Sequence, residues 1–180
     1  MILEGTALVI AQDNVDTDAL YPGPYLNIVD PQQMKRYLFE GLDPSLRDRL
    51  REDTILVVGE NFGAGSSREH VPLAMKAWGI RCLVGKSFAR IFYRNCINLG
   101  LLAVQCREAA VIARDGSHLR IDTETSVIEV DGRSFPMPTL PPFLLDIIAA
   151  GGREAWARRR LATGSAHQVV EYKEGGGNNG

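Results

Sequence analysis

The sequence has little cysteine: three residues in 180, at Cys82, Cys96 and Cys106. Their number is odd, their spacing is wide and no CxxC pair occurs. This pattern argues against a disulfide framework and against a zinc or iron–sulfur site built within this chain. We expect each cysteine to be a small buried side chain, and the protein to reside in the reducing cytoplasm.

An excess of positive charge is also absent. The formal net charge is −2, which disfavours nucleic acid as the main partner because phosphate binding needs a basic surface. No apolar run is long enough to span a bilayer, so we expect no membrane association. The N-terminus "MILEGTALVI" lacks the basic segment and small-residue cleavage site of a signal peptide, and its pattern predicts a first strand instead.

The length of the chain predicts a single domain. A chain of 180 residues with 45% hydrophobic residues can bury a core without disulfides or metals. There are no internal repeats and no linker long enough to separate domains. We therefore predict one domain over residues 1–163 and a flexible tail over 164–180, which ends in "KEGGGNNG".

Apolar runs in the middle of the chain alternate with helical patterns, which predicts an α/β fold with a mostly parallel core. Asp30 before Pro31 is typical of a helix N-cap, and Ser87 is predicted to cap a later helix. The predicted strands cover 5–11, 54–58, 80–85, 101–105, 118–123 and 126–131. The predicted helices cover 31–40, 67–78, 87–98, 141–150 and 153–162.

A glycine-rich loop, "NFGAGSSREH", follows the second predicted strand. Three familiar glycine-loop chemistries do not fit it. A dinucleotide fingerprint would need a glycine where Arg68 stands, and a Walker loop would need a lysine. A nucleophile elbow would need a glycine two residues to each side of Ser66 or Ser67.

The residues of this loop nevertheless favour a small anionic ligand, either phosphate or carboxylate. Gly63 and Gly65 allow the backbone to approach a ligand, and the start of the next helix offers free N–H groups. Arg68 adds a planar cation, and Ser66 and Ser67 add hydroxyl groups, one of which could act as a base. The alternative is a capping turn whose charged residues pair on the surface. His70 is interpreted as a packing or orienting residue rather than the base.

Three acidic residues, Asp13, Asp16 and Asp18, precede a proline-rich bend. They resemble a calcium-binding loop only partly, because the glycine and closing glutamate of such a loop are missing, so we expect no metal here. A solvated turn with aspartate N-caps is one interpretation. The functional interpretation is a rigid loop that shapes a pocket.

The glycine-rich loop and "KSFARIFYRNCINLGLLAV" together resemble the swivel domain of the aconitase superfamily. "DNVDTDALYPGPYL" resembles the first motif of that family, and "LPPFLLDIIAAGG" resembles its C-terminal helix. A free-standing chain of this size resembles the small subunits of 3-isopropylmalate dehydratase and its relatives. The resemblance spans roughly residues 5–160 and implies a three-layer β/β/α swivelling domain of the aconitase C-terminal type.

The resemblance also implies a function. Such small subunits pair with a large subunit that carries a [4Fe–4S] cluster, and together they dehydrate and rehydrate a hydroxy dicarboxylate, as in leucine biosynthesis. Ser66 would be the base. Ser67, Arg68 and the loop N–H groups, including that of Gly65, would bind substrate carboxylate, and Asp18 would lie at the edge of the site. The chain itself would bind no metal or cofactor.

The sequence departs from the family in the specificity loop, Tyr25, Leu26, Asn27 and Ile28. Relatives often have Arg-Thr in place of Asn27-Ile28, and a basic residue in place of Pro24. The loop therefore lacks a cation that would recognise a carboxylate, which leaves open dimethylmalate, methylmalate (with citraconate) and homoaconitate-type substrates. Two other classes of function also remain open, a phosphate- or nucleotide-binding module and a non-catalytic regulatory partner.

Overall fold

The computed structural model describes residues 1–162, so the predicted end of the domain at 163 and the predicted tail over 164–180 lie outside the described residues. The strands are β1 Ile2–Ile10, β2 Thr54–Val58, β3 Cys82–Gly85, β4 Leu102–Gln105, β5 His118–Asp122, β6 Val127–Val130 and β7 Arg133–Pro136. The helices are α1 Thr17–Leu20, α2 Pro31–Met34, α3 His70–Ala77, α4 Arg90–Asn98, α5 Arg107–Ile112, α6 Pro142–Ala149 and α7 Arg153–Ala162. Short 3₁₀ turns cover Gly23–Tyr25, Lys35–Tyr37 and Pro44–Arg49.

The seven strands form one mixed sheet in the order β4-β3-β2-β1-β5-β6-β7. Strands β1 to β4 pair in parallel, with Val57 of β2 between Val9 and Val84. The hairpin of β5 and β6 was predicted from its alternating pattern and is present, and it pairs antiparallel to β1. Every residue of β2 is buried, as expected for a parallel strand covered on both faces.

Two hydrophobic cores lie on the two faces of the parallel strands. The first core joins alternate strand residues such as Leu56 and Leu83 to Met75 of α3 and Cys96 of α4. The second core joins the other set of strand residues to α5, α6 and the inward side chains of β5 and β6. Because β5 and β6 share a core with the parallel strands, the sheet curves into a half-barrel with helices packed against it. The predicted α/β class with a parallel core is confirmed.

The helix predicted over 31–40 is shorter than expected. Asp30 accepts a hydrogen bond from the N–H of Gln32 and caps α2 as predicted, but α2 ends at Met34 and a 3₁₀ turn follows. The chain then turns at Phe39, which has a φ of 67° and whose N–H donates to the Leu20 carbonyl at 2.7 Å. Burial of Phe39 outweighs continuation of the helix, because its side chain is fully enclosed.

The prediction that Ser87 caps the next helix was wrong. Helix α4 begins at Arg90, its N-cap is Ala89, and no side chain caps it. The Ser87 hydroxyl instead accepts a hydrogen bond from the N–H of Asn61 at 2.8 Å, in the glycine-rich loop. Strand β7 and the short helices α1 and α5 were not predicted, because none is long enough to show a clear period. Among residues 1–162, no helix has the length and apolarity needed to cross a membrane.

Candidate active site

Two loops lie side by side where β1 and β2 end. The first covers residues 11–16, and the second is the glycine-rich loop, residues 59–69. Backbone hydrogen bonds join them: Asn14 donates to Glu60, Gly63 to Val15, and Thr17 to Ala64, each at 2.8 Å. The predicted position of the glycine-rich loop at the C-terminal end of a parallel strand is thus confirmed, and open α/β sheets bind ligands at this edge.

The acidic residues of the first loop have structural partners. The Asp13 carboxylate accepts a hydrogen bond from the N–H of Glu60 at 2.7 Å, and Lys86 lies 3.6 Å away. The hydrogen bond, assisted by Lys86, holds the pKa of Asp13 below its usual value. Asp16 caps α1 by accepting from the N–H of Ala19. In the part of the chain that the structure describes, no three His, Cys, Asp or Glu side chains are grouped to hold a metal ion.

Two glycines allow the second loop to take its course. Gly63 has a φ of +82°, and a Cβ there would lie 2.2 Å from Cγ of Phe92. Gly65 has a φ of +100° and faces the Thr17 hydroxyl. Both values lie in the region that favours glycine. The loop can therefore pass directly over the Phe92 ring before it reaches Ser66.

Ser66 is held from both sides. Its N–H donates to Oγ1 of Thr17 at 3.0 Å, and its own Oγ accepts from the N–H of Arg68 at 3.1 Å. The side chain is half-buried and lies shortly before the start of α3, where the helix dipole is positive. An N–H donor and a helix start both stabilise negative charge on an oxygen, which is the requirement for a serine that acts as a base.

The other predicted ligand-binding residues are displayed to solvent around Ser66. Gly65, Ser67, Arg68 and Asp18 are exposed, and Asp18 follows Thr17 on α1. Neither Arg68 nor Glu69 forms an ion pair within residues 1–162, so the alternative of a capping turn with paired surface charges has no support among those residues. The structure brings the two loops together and leaves the Arg68 guanidinium available to an anion.

The predicted specificity loop lies beside α3. The Tyr25 ring stacks on Tyr37 with centroids 4.1 Å apart, and Leu26 and Ile28 are half-buried against the first core. Asn27 is exposed. The loop thus offers an amide rather than a cation to solvent.

Two polar residues that hold the site were missed from the sequence. Thr17 is buried, and its hydroxyl accepts from Ser66. Asn95 is buried on α4, and its Nδ2 donates to the Ser67 carbonyl at 2.9 Å. Asn95 carried a usable signal, because it is a polar residue beside Phe92 and Cys96 on the buried side of a helix. Thr17 carried none, since a threonine at the start of a helix of four residues is equally typical of a turn.

Comparison with known proteins defines the class. The family model described as the aconitase C-terminal domain matches residues 1–109. The 3-isopropylmalate dehydratase small subunit of Caldanaerobacter subterraneus subsp. tengcongensis is 44% identical over 83% of this chain and 94% of its own length. That of Moorella thermoacetica is 42% identical over 91% of this chain and 99% of its own length.

The solved structures agree with this. The crystal structure of 3-isopropylmalate dehydratase from Methanocaldococcus jannaschii matches with a TM-score of 0.84 and 37% identity, and the match covers 92% of this chain and 98% of the other. The chain belongs to the 3-isopropylmalate dehydratase small subunit family, within the aconitase C-terminal domains. The resemblance inferred from the sequence motifs is confirmed.

Proposed function

We propose that this chain is the small subunit of a cytoplasmic 3-isopropylmalate dehydratase of leucine biosynthesis, active only with a large subunit. The pair would interconvert 2- and 3-isopropylmalate by loss and return of water. The observation that carries the proposal is the near-complete correspondence with named small subunits, 94% and 99% of whose lengths are covered. The glycine-rich loop at the edge of the sheet, in which Ser66 forms hydrogen bonds with Thr17 and Arg68, supports it.

Ser66 would act as the base. Its ionised oxygen would take the proton from the carbon next to a substrate carboxylate, while the C–O bond of the hydroxyl on the neighbouring carbon breaks. The hydroxide that leaves would take a proton from solvent and become water. In the rehydration step, a water molecule adds its oxygen to one carbon of the double bond and releases a proton to solvent, while Ser66 gives its proton to the other carbon. The backbone N–H of Arg68 donates to the Ser66 Oγ, and α3 begins shortly after this loop. Both features support this role, because both favour an anionic oxygen.

Ser67, Arg68 and the N–H of Gly65 would bind a substrate carboxylate. The guanidinium can form two parallel hydrogen bonds to such a group, which sets its orientation as well as its affinity. Asp18, exposed on α1 beside Thr17, would organise the edge of the site. Removal of a proton from the carbon next to a carboxylate requires that the carboxylate is held in a fixed position. The residues that bind the carboxylate and the residue that acts as the base would therefore lie in the same loop.

The specificity loop would select the substrate side chain. Tyr25, Leu26 and Ile28 are partly buried, and Asn27 presents an uncharged amide. A third carboxylate would meet no cation from these four residues, whereas an alkyl group would meet apolar surface. This favours isopropylmalate over a homoaconitate-type acid.

The large subunit would hold the [4Fe–4S] cluster. In this chain, Cys82 and Cys106 lie in the second core and Cys96 lies in the first, so the thiols are not arranged to bind one cluster. Burial raises the pKa of Cys82 to about 12 and also raises the pKa of Cys96. Bound to the partner, such a cluster supplies a Lewis acid to hydro-lyase chemistry.

Reconstitution tests this proposal. The chain is co-expressed anaerobically with the cluster-bearing subunit, and hydration of isopropylmaleate, dimethylmaleate, citraconate and homoaconitate is measured. We expect isopropylmaleate to be preferred, and Ser66→Ala to lower kcat by about 10²–10⁴-fold, as expected for loss of a general base. Ser134→Ala, an exposed serine on β7, is the matched control.

Three results would contradict the proposal in whole or in part. Full activity of Ser66→Ala would remove Ser66 as the base. Inactivity towards all four acids, in a complex with a fully loaded cluster, would favour a regulatory role for this chain. Preference for another acid would keep the hydro-lyase and change its substrate.

A further inference from the structure

Two aromatic side chains bind consecutive carbonyl groups of the specificity loop. The Tyr21 hydroxyl donates to the Tyr25 carbonyl at 3.2 Å, and Nε2 of His70 lies 3.0 Å from the Leu26 carbonyl. The two rings contact each other with centroids 5.5 Å apart. Burial raises the pKa of the Tyr21 phenol, so this side chain remains a hydrogen-bond donor across the neutral range. We call this pair of side chains the carbonyl clamp.

The tautomer of His70 follows from its partner. A carbonyl oxygen only accepts, so Nε2 must carry the hydrogen. Nδ1 is buried and has no hydrogen-bond partner among residues 1–162. An apolar side chain of similar size would fill the same space without burying an unpaired nitrogen. Packing alone therefore does not account for an imidazole here, and the hydrogen bond to Leu26 does.

The carbonyl clamp connects three parts of the site. His70 is the first residue of α3 and lies two residues after Arg68, and the buried residues Val71 and Met75 anchor α3 in the first core. Tyr21 is the residue that ends α1, on which Asp18 lies, and is itself 2% exposed. Movement of the specificity loop is thus tied to the elements that carry the substrate-binding residues.

We propose that His70 and Tyr21 are positioning residues that set the distance between the specificity loop and the Ser66–Arg68 loop, and thereby the choice among substrates. The proposal rests on the function proposed above. The clamped groups are backbone carbonyls, so the clamp places the loop whatever side chains the loop carries. Discrimination between alkyl groups of different size depends on such placement, since a small displacement opens or closes an apolar pocket.

Hydrogen exchange of the full chain tests the clamp without any substrate. His70→Phe keeps a ring but removes the donor, whereas His70→Gln places an amide N–H near the position of Nε2. The reporters are the amides of Tyr25, Leu26 and Ile28, which donate within the loop. We expect His70→Phe and Tyr21→Phe to speed their exchange about five- to tenfold, as for loss of one hydrogen bond. His70→Gln and the exposed control His118→Gln should stay within about twofold of the unaltered chain.

Steady-state kinetics of the complex with the large subunit test the consequence. His70→Phe should lower the preference for isopropylmaleate over citraconate by about tenfold, which corresponds to the loss of one hydrogen bond. The change should appear mainly in KM, with kcat nearly unchanged, and His70→Gln should restore the preference. If His70 had a merely structural role, His70→Phe would lower the activity towards isopropylmaleate and towards citraconate equally.

Each outcome decides one question. The carbonyl clamp would be overturned if amide exchange in the specificity loop were unchanged in His70→Phe. It would also be overturned if His70→Phe and His70→Gln sped that exchange equally. Faster loop exchange with unchanged substrate preference would overturn its role in specificity. An unaltered complex that is inactive towards every acid would refute the proposed function and, with it, the specificity role, while exchange would still decide whether the clamp exists.

Discussion

Gly63 shows how closely a single residue shapes the site. A Cβ at this position would lie 2.2 Å from Cγ of Phe92, and the φ of +82° is unfavourable for any residue with a side chain. Phe92 is itself enclosed in the first core against Phe62, so its ring cannot move away. The course of the loop towards Ser66 thus depends on the absence of one methyl group.

We expect Gly63→Ala to lower the free energy of unfolding by about 2–4 kcal/mol, because overpacking and backbone strain add. Urea denaturation measures the change. Gly23→Ala is the control, since no atom lies within 4 Å of a Cβ there, and its effect should stay within about 0.5 kcal/mol. If Gly63→Ala left the free energy of unfolding unchanged, the glycine-rich loop would be able to adopt another backbone conformation.

The candidate site residues of the glycine-rich loop could be identified from the sequence because the motif that contains them is local. Ser66, Ser67 and Arg68 adjoin one another, so their meeting needs no tertiary information. Asn95 is 28 residues from its partner Ser67, and only the packing of α4 against the loop brings them together. The roles of Ser66, Ser67 and Arg68 in catalysis remain predictions, which the reconstitution experiment tests.

At the scale of elements, the two loops depend on Asp13. This residue follows β1, yet its carboxylate accepts from Glu60 after β2 and lies near Lys86 after β3. A Cβ on the neighbouring Gly59 would lie 2.5 Å from the Asp13 carboxylate. One side chain therefore aligns the ends of three parallel strands below the candidate site.

Asp13 predicts a dependence of stability on pH. Its pKa in the folded state lies below the usual value of an aspartate, so its ionised form stabilises the folded state. This contribution is present above the unfolded pKa and is lost as the pH falls through the lower folded pKa. We expect Asp13→Asn to be less stable than the unaltered chain at pH 6, with the difference shrinking below about pH 4.

Thermal unfolding of the two proteins between pH 2.5 and 7 measures this difference. Asp48→Asn is the control, because Asp48 is exposed and forms no ion pair within residues 1–162. A difference that stays constant across the whole range would show that the Asp13 charge is not responsible.

Element boundaries were less predictable than element types. Helix α3 was expected from residue 67 but begins at His70, because the Ser66 hydroxyl and Asn95 hold residues 66–68 in a loop. Helix α4 was expected from residue 87 but begins at Arg90, because Ser87 bonds to Asn61. In both cases a contact with a distant segment, Asn95 with Ser67 and Ser87 with Asn61, holds the chain outside the helix.

At the scale of the whole molecule, all three cysteines are enclosed by the two cores. Their exposed fractions are 1% for Cys82, 0% for Cys96 and 3% for Cys106, and burial raises the pKa of each thiol. A thiol must ionise and be reachable to act as a nucleophile. Both conditions require the cores to open.

We therefore expect the native chain to resist modification by a disulfide reagent at pH 8. All three thiols should react at once in strong denaturant, and the slow reaction of the native chain should follow the rate or equilibrium of unfolding. Absorbance of the released thiolate measures both. A cysteine that reacts within seconds in the native chain would show that one core opens locally.

The sequence by itself determined the parallel strands, the hairpin of β5 and β6, the glycine-rich loop and the family. Each of these depends on residues that are neighbours in the chain, or on motifs with constant spacing. Only the tertiary structure decided that Ser66 meets Thr17 across 49 residues and that His70 meets Leu26 across 44. Such contacts depend on the register of β1 against β2 and on how α3 packs, and these follow from burial of the whole core rather than from any local pattern.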